Sequence, residues 1–327
     1  MTLSSLEICA GGGGQALGLE AAGFEHAAAV ELEPIACQTL SLNRPQWNVV
    51  NKDVREIEGR DFRGIDLLAG GVPCPPFSVA SRQLGPSDER DLFPAALQLI
   101  ADAEPAAVLL ENVPGLASAR FAAYRMTVRT TLEKLKYKVR WQAINACDFG
   151  VPQLRPRFVL IALKSQYAGS FRWPDPRGLR VTVGEALQDV VASRGWAGAH
   201  EWAARANSVA PTLVGGSKLH GGPDLGPTRA KLAWKELGVD GMGIADSPPD
   251  SSFPVDGYFR LTLRMAARIQ GFPDSWQFAG KKTAAYRQIG NAFPPPVAEA
   301  LGTSLKHALL GQPVESGNEL LPLVRVG

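Results

Sequence analysis

The chain opens with a strand, four consecutive glycines and a helix, and few folds accommodate that order. Residues 5–10 (SLEICA) form an apolar run of strand length, Gly11 to Gly14 follow, and residues 15–23 read as a helix stopped by Gly23. Gly11, Gly13 and Ala16 fit the spacing GxGxxG/A, and Glu31 ends the next apolar run, 20 residues after Gly11. Glycines let backbone approach a ligand closely, and an acid at the end of the second strand accepts both hydroxyls of a ribose. The pattern therefore points to an adenosine-type site. On these residues alone, a dinucleotide and S-adenosylmethionine fit equally well.

The alternation continues. Residues 26–32 read as a strand, 34–43 as a helix with proline in its first turn, NVVNKDV as a third strand and 65–72 as a fourth. A helix over 93–104, a strand over 106–113, a helix over 119–136 and two closing strands, YKVRWQAINA and RPRFVLIALK, complete the region. Such a pattern predicts a mostly parallel sheet covered on both faces, with ligands at the C-terminal strand ends. After about Lys164 the periodicity fades. Residues 169–258 are rich in Gly, Pro, Ser and single tryptophans, and predict a smaller domain of loops and short strands around one helix at 228–238. Helical spacing returns at 262–272, and residues 295–311 read as a helix with prolines at its start and glycine at its end.

Composition excludes more than it identifies. The chain has 327 residues, a net charge of +2 and 45% hydrophobic residues, and no apolar run approaches a membrane span. The N-terminus lacks a basic leader segment, so a cytoplasmic protein is expected. The four cysteines, Cys9, Cys37, Cys74 and Cys147, show no CxxC spacing, so neither a metal site nor a disulfide framework is expected.

Cys74 stands apart from the other three. It lies in GGVPCPPFS, straight after the fourth strand, between Pro73 and the pair Pro75 and Pro76. Prolines stiffen the chain and forbid helix there, which suits a thiol held for reaction. The fifth strand ends at Glu111 in LLENVPG. Adjacent strands would bring thiol and carboxylate to one edge, beside the glycine loop. A carboxylate after four apolar residues is partly desolvated and suited to share a proton with a ring nitrogen, and a nucleophile plus a proton donor is a covalent-catalysis pair. In QLRPR, Arg155 and Arg157 open a further strand, where either could clamp a substrate carbonyl. Asp53, at the end of the third strand, could accept an adenine amine.

In order along the chain, EICAGGGGQALG, VEL, KDV, GGVPCPPFS, DERDLF, ENVPG, QLRPR, RLTLRMAARIQGFP and YRQIGNAFPPPVAEALG resemble the motifs of the bacterial and phage DNA (cytosine-5)-methyltransferases of the type II restriction-modification kind. The resemblance covers nearly the whole chain. It implies an α/β fold, a Rossmann-like S-adenosylmethionine-dependent methyltransferase sheet with a smaller, loop-rich target-recognition domain. Residues 1–180 and 286–327 would form the catalytic domain, and 181–285 the recognition domain and hinge. It also implies that Cys74 attacks carbon 6 of a flipped-out cytosine, that Glu111 bonds ring nitrogen 3 and the exocyclic amine, and that Arg157, with Arg155, holds the carbonyl. Carbon 5 then takes the methyl group from S-adenosylmethionine, and loss of its proton expels Cys74. Residues 75–90 would be the loop that closes over the base.

For the cofactor, the resemblance implies that Cys9, Ala10, Gly11, Gly13 and Gly14 form the loop. Glu31 would hold the ribose and Asp53 the adenine amine, with Leu32 and Val54 sandwiching the ring. Pro73, Leu92, Asn291 and Ala292 would line the methionine end. Two departures stand out: Cys9 replaces a phenylalanine that packs on the adenine, and Leu32 stands where many members carry an aromatic, so weaker stacking is expected. Double-stranded DNA is the implied partner. Ser78, Ser81 and Arg82 on the closing loop, and Thr212, Leu213, Lys218, His220 and Arg229 in the recognition segment, are the candidate DNA contacts, most of them to phosphates. A monomer is expected, with a companion restriction endonuclease acting on the same site without physical contact. The alternatives are a tRNA cytosine-5 methyltransferase, whose usual Cys-Phe-Thr signature is missing here, a nicotinamide-dependent oxidoreductase, and a DNA-binding regulator without catalysis. The oxidoreductase leaves Cys74, Glu111 and the late Gly290-Asn291 unexplained.

Overall fold

The computed structural model describes residues 2–73, 91–176, 178, 180–216 and 222–312. A seven-stranded sheet lies at its centre, built from β1 (Leu3–Ile8), β2 (Phe24–Glu31), β3 (Val49–Asn51), β4 (Leu67–Gly71), β5 (Ala107–Asn112), β6 (Tyr137–Asn145) and β7 (Pro156–Lys164). Its order is β3-β2-β1-β4-β5-β7-β6. The first five strands run parallel, and β7 is antiparallel to both β5 and β6. The strand order reverses at β1, so a crevice opens beyond its C-terminal end, where the glycines lie.

The helices are α1 (Gly14–Ala21), α2 (Pro34–Asn43), α3 (Phe93–Ala103), α4 (Ala122–Lys134), α5 (Ser165–Ala168), α6 (Val183–Ala192), α7 (Ala199–Arg205), α8 (Thr228–Glu236), α9 (Leu263–Ile269), α10 (Lys282–Asn291) and α11 (Pro295–Leu310). Alternate strand residues feed two cores. Leu67, Ala69, Ala107 and Leu109 pack with α1 and α11 on one face. Leu68, Val108 and Leu110 pack with α3 and α4 on the other. A sheet buried on both faces accounts for the continuous apolar runs of β4, β5 and β7.

The segment after β7 departs from expectation. Besides α8, the helix expected at 228–238, it carries α6 and α7, and its strand-like contacts among the described residues are isolated bridges, such as Val239 with Phe259 and Ala245 with Thr262. A capping box starts α6, with Thr182 and Glu185 each satisfying the other's backbone N–H. Trp202 is fully buried and meets Phe259 edge to face at 4.9 Å, and Trp196 packs on both Phe259 and Phe253. The single tryptophans therefore form a core, and helices close over it. The boundary expected at residue 286 falls inside α10.

Candidate active site and ligand pocket

β1 ends at Ile8, and the loop that follows turns sharply. Cys9 has φ 53°, Gly11 55° and Gly13 85°, the last capping α1. Such angles suit glycine, and Cys9 adopts one at a cost. This loop, the ends of β2, β4 and β5, and α10 enclose a cavity of about 550 Å³, a size suited to a small-molecule ligand.

Of the residues expected around a cofactor, Cys9, Ala10, Gly11, Glu31, Leu32, Asp53, Val54, Pro73, Leu92, Asn291 and Ala292 line this cavity, and Glu111 joins them. Gly13 and Gly14 do not line it. Their role is to shape the turn: a Cβ on Gly14 would come within 2.2 Å of the Phe293 carbonyl. Glu31 is 8% exposed. One carboxylate oxygen accepts the Gly11 N–H at 2.7 Å, and the other accepts the Glu33 N–H at 2.8 Å. Burial pushes its carboxyl up, and these two donors oppose the shift. Each oxygen keeps a lone pair for a ligand hydroxyl. Leu32 is 57% exposed, an open apolar platform beside it.

Asp53 lies beyond β3 and caps a single 3-10 turn. Arg55 holds it through both carboxylate oxygens, at 2.9 and 2.5 Å, and keeps its carboxyl below the usual range. Any ligand amine must share Asp53 with this guanidinium.

At the other end of the cavity, β4 and β5 place Gly71 directly opposite Glu111. A Cβ on Gly71 would sit 3.0 Å from the Glu111 carboxylate, so glycine leaves room for that side chain to lie across the strand end. Asn112 donates to the Val72 carbonyl at 2.8 Å, and the Leu92 N–H donates to the Pro73 carbonyl at 3.1 Å. These bonds fix the chain at Val72 and Pro73, which lead to position 74. Cys74 itself, with Ser78, Ser81, Arg82 and the closing loop 75–90, lies outside the described residues, as do Lys218, His220 and the C-terminal tail.

The remaining thiols are poor nucleophiles. Cys37 and Cys147 are buried. Burial and the nearby Glu31 push Cys9 up to about 12 and Cys37 up to about 11, and burial also raises Cys147. A thiol, not a thiolate, stands at each of these positions near neutral pH.

The two arginines of QLRPR part company. Arg157 pairs with Glu111 at 3.3 Å, and both side chains are little exposed, at 11% and 13%. Arg155 is 1% exposed and does not line the cavity. It donates to the carbonyls of Leu213 at 2.8 Å, Gly290 at 2.7 Å and Ala292 at 3.0 Å. A cation on the last carbonyls of α10 also complements the helix dipole. The remaining acceptor of Arg155 is the Gln153 side-chain oxygen at 3.4 Å, so among the described residues Arg155 is engaged by protein groups, whereas Arg157 stands beside Glu111.

Residues 212–216 meet the pocket wall at the same place. The Leu213 N–H donates to Gln153 at 2.8 Å, and Leu213 is 1% exposed, so it offers DNA no side chain, contrary to expectation. The Thr212 hydroxyl is engaged by the Leu154 carbonyl at 2.5 Å, whereas Arg229 is exposed on α8. Gly215 lies backbone to backbone on Gly290: a Cβ on Gly290 would come within 2.4 Å of the Gly215 nitrogen. Beside it, Asn291 donates to the Gly216 carbonyl at 3.2 Å.

Among the polar residues that line the cavity, sequence reasoning missed Glu7, Gln15 and Arg287 together with others. The acid in the first apolar run was a visible signal for Glu7. Nothing local marked Gln15 or Arg287.

A strand-switch pocket flanked by the loop before Cys74 and by the Glu111–Arg157 pair defines a Rossmann-like methyltransferase sheet. The S. pombe Dnmt2 methyltransferase shares that fold, with a TM-score of 0.61 at 18% identity over 94% of this chain and 98% of that one. The model of the C-5 cytosine-specific DNA methylase family matches residues 3–307, and the chain belongs to that family. It is 55% identical over 312 residues to the type II methyltransferase M.NaeI of Lentzea aerocolonigenes, covering 94% of this chain and 76% of that one. It is 52% identical over 318 residues to the type II methyltransferase M.NgoMIV of Neisseria gonorrhoeae, covering 94% and 99%. The protein is a cytosine-5 DNA methyltransferase.

Proposed function

We propose that the protein methylates carbon 5 of a flipped-out cytosine in duplex DNA through a covalent adduct on Cys74, with S-adenosylmethionine as methyl donor. The observation that carries this reading is the register of β4 against β5. With Gly71 opposite Glu111, the strand leading to Cys74 and the carboxylate share one edge of the cavity. Cys74 attacks carbon 6 as a thiolate. Glu111 meets ring nitrogen 3, where it stabilises the attacked ring through a shared proton. Arg157, beside Glu111, bonds the carbonyl oxygen and balances the charge that develops there. Once carbon 5 has taken the methyl group, loss of its proton to a base, with the electron pair re-forming the carbon 5–carbon 6 double bond, releases Cys74 as thiolate.

The donor's residues fit. Glu31 keeps free lone pairs for ribose hydroxyls, Leu32 offers a face for adenine, and Asp53 and Val54 flank it. When bound, the cofactor supplies an electrophilic methyl group on a sulfonium. Nucleophilic attack by carbon 5 takes that methyl group. Residues 1–180 with 286–327 act as the catalytic domain, and 181–285 reads the DNA site, with Arg229 an exposed phosphate contact. The protein works as a cytoplasmic monomer, the modification partner of a restriction endonuclease that cuts the same site. Among the described residues no helix is long and apolar enough to cross a membrane.

The test is expression in a host without cytosine-5 methylation, followed by conversion sequencing of its DNA. One short sequence fully protected at one cytosine is expected, with no protection from the Cys74→Ser variant. Unmodified DNA alongside methylated host tRNA would overturn the DNA reading.

A further inference from the structure

Val72 and Pro73 follow β4, and Asp91 and Leu92 lead into α3. A circuit of hydrogen bonds joins these two short stretches to the strand that carries Glu111. The Leu92 N–H donates to the Pro73 carbonyl at 3.1 Å. Asn112, next to Glu111 on β5, donates to the Val72 carbonyl at 2.8 Å. From Asn112 the chain runs through two 3-10 turns, Pro114–Ala117 and Ala119–Phe121, into α4. Arg125 braces both turns from α4, donating to the carbonyls of Leu116 at 2.5 Å and Ser118 at 2.7 Å. Tyr124, beside it, closes the circuit: its hydroxyl stands 2.8 Å from each carboxylate oxygen of Asp91.

Neither residue needs that bond for its local structure. One Asp91 oxygen accepts the Phe93 N–H at 3.1 Å, the side-chain turn that starts α3. The Tyr124 ring meets Phe93 edge to face at 5.8 Å, a contact that a phenylalanine would make equally well. What the hydroxyl adds is a charge-assisted link between α4 and the residue before Leu92. We propose that Tyr124 is a positioning residue for methyl transfer: through Asp91 and Leu92, its hydroxyl holds Pro73, the residue before Cys74, in register with Glu111. The inference rests on the reading of Cys74 as the nucleophile. Bond formation is steep in distance, and a displacement of about 1 Å can cost 100-fold in rate. A small shift of Pro73 against Glu111 therefore slows attack while the fold and both ligand surfaces stay intact.

The test is the rate of adduct formation at saturating S-adenosylmethionine on duplex DNA of varied sequence carrying 5-fluorocytosine, whose carbon 5 substituent cannot leave. Tyr124→Phe should slow the adduct about 10- to 100-fold. Its affinities for S-adenosylhomocysteine and for DNA should stay within about twofold of wild type, and its Tm should fall by no more than about 5 °C. Asp91→Asn keeps an oxygen for both donors and should recover most of the rate that Asp91→Ala loses. Combining Tyr124→Phe with Asp91→Ala should slow the adduct no further than Asp91→Ala alone, because both changes break one link. A wild-type rate in Tyr124→Phe, or losses of ligand affinity as large as the loss of rate, would overturn the positioning role and leave Cys74 as the nucleophile. Absence of any adduct with the wild-type protein would overturn both.

Discussion

Replacing Arg155 by methionine separates a structural from a catalytic arginine. Four acceptors surround its guanidinium: the carbonyls of Leu213, Gly290 and Ala292, and Gln153 at 3.4 Å. Gln270 also donates to the Ala292 carbonyl, so that acceptor keeps a partner. Among the described residues the carbonyls of Leu213 and Gly290 keep no side-chain partner, at about 1–3 kcal/mol each. Relief of the guanidinium's own desolvation offsets part of this. A net loss of about 2–4 kcal/mol follows, which for a chain of this size lowers Tm by roughly 5–10 °C. Arg157→Met removes an ion pair at the cavity edge and should move Tm by no more than about 2 °C, while methyl transfer falls by at least about 100-fold through loss of a charge-assisted contact to the base. Scanning fluorimetry and transfer of labelled methyl groups to DNA read the two effects side by side. An Arg155→Met protein with wild-type Tm and no activity would refute the reasoning, because Arg155 would then act on the substrate.

Gly290→Ala should be among the most damaging single changes outside the site, since its Cβ would lie 2.6 Å from the Gly215 Cα. Expected are a Tm drop measurable by fluorimetry and weaker binding of both cofactor and DNA. His26 is held neutral, with burial lowering it below its ordinary 6.5 while it bonds Ser5 and the Ala16 carbonyl. Its contribution to stability is complete above pH 6.5 and declines as the pH falls, because the unfolded chain binds the proton more readily. Urea midpoints between pH 7 and 5 should therefore fall, and His26→Gln should flatten that slope. Asp274 is held far below the usual carboxylate range by Arg268 and Arg264, so its stabilisation is present above about pH 4 and fades in acid. Asp274→Asn should lower Tm at pH 7 and lessen the loss below pH 4.

Local pattern carried most of the sheet. The helix expected over 34–43 matches α2 residue for residue, and the acid 20 residues after Gly11 does bond that glycine's N–H. Periodicity and a glycine loop are short-range signals, so they survive without knowledge of packing. The missed features depend on segments remote in sequence. Its place in QLRPR makes Arg155 a candidate clamp, yet its backbone acceptors come from residues 58 to 137 positions away. The helices α6 and α7 were obscured by glycines and tryptophans, although Thr182 and Glu185 form the spacing of a capping box. Asp53 was expected at a strand end, but the strand stops at Asn51 and the acid caps the next turn, where Arg55 can reach back to it.

The most direct test of the account is to trap the covalent intermediate. The protein is incubated with S-adenosylmethionine and duplex DNA of varied sequence carrying 5-fluorocytosine, which cannot lose its substituent at carbon 5. A denaturant-resistant protein–DNA adduct that disappears in Cys74→Ser is the predicted result. An adduct that persists without Cys74, or forms on RNA and not on DNA, would contradict the account.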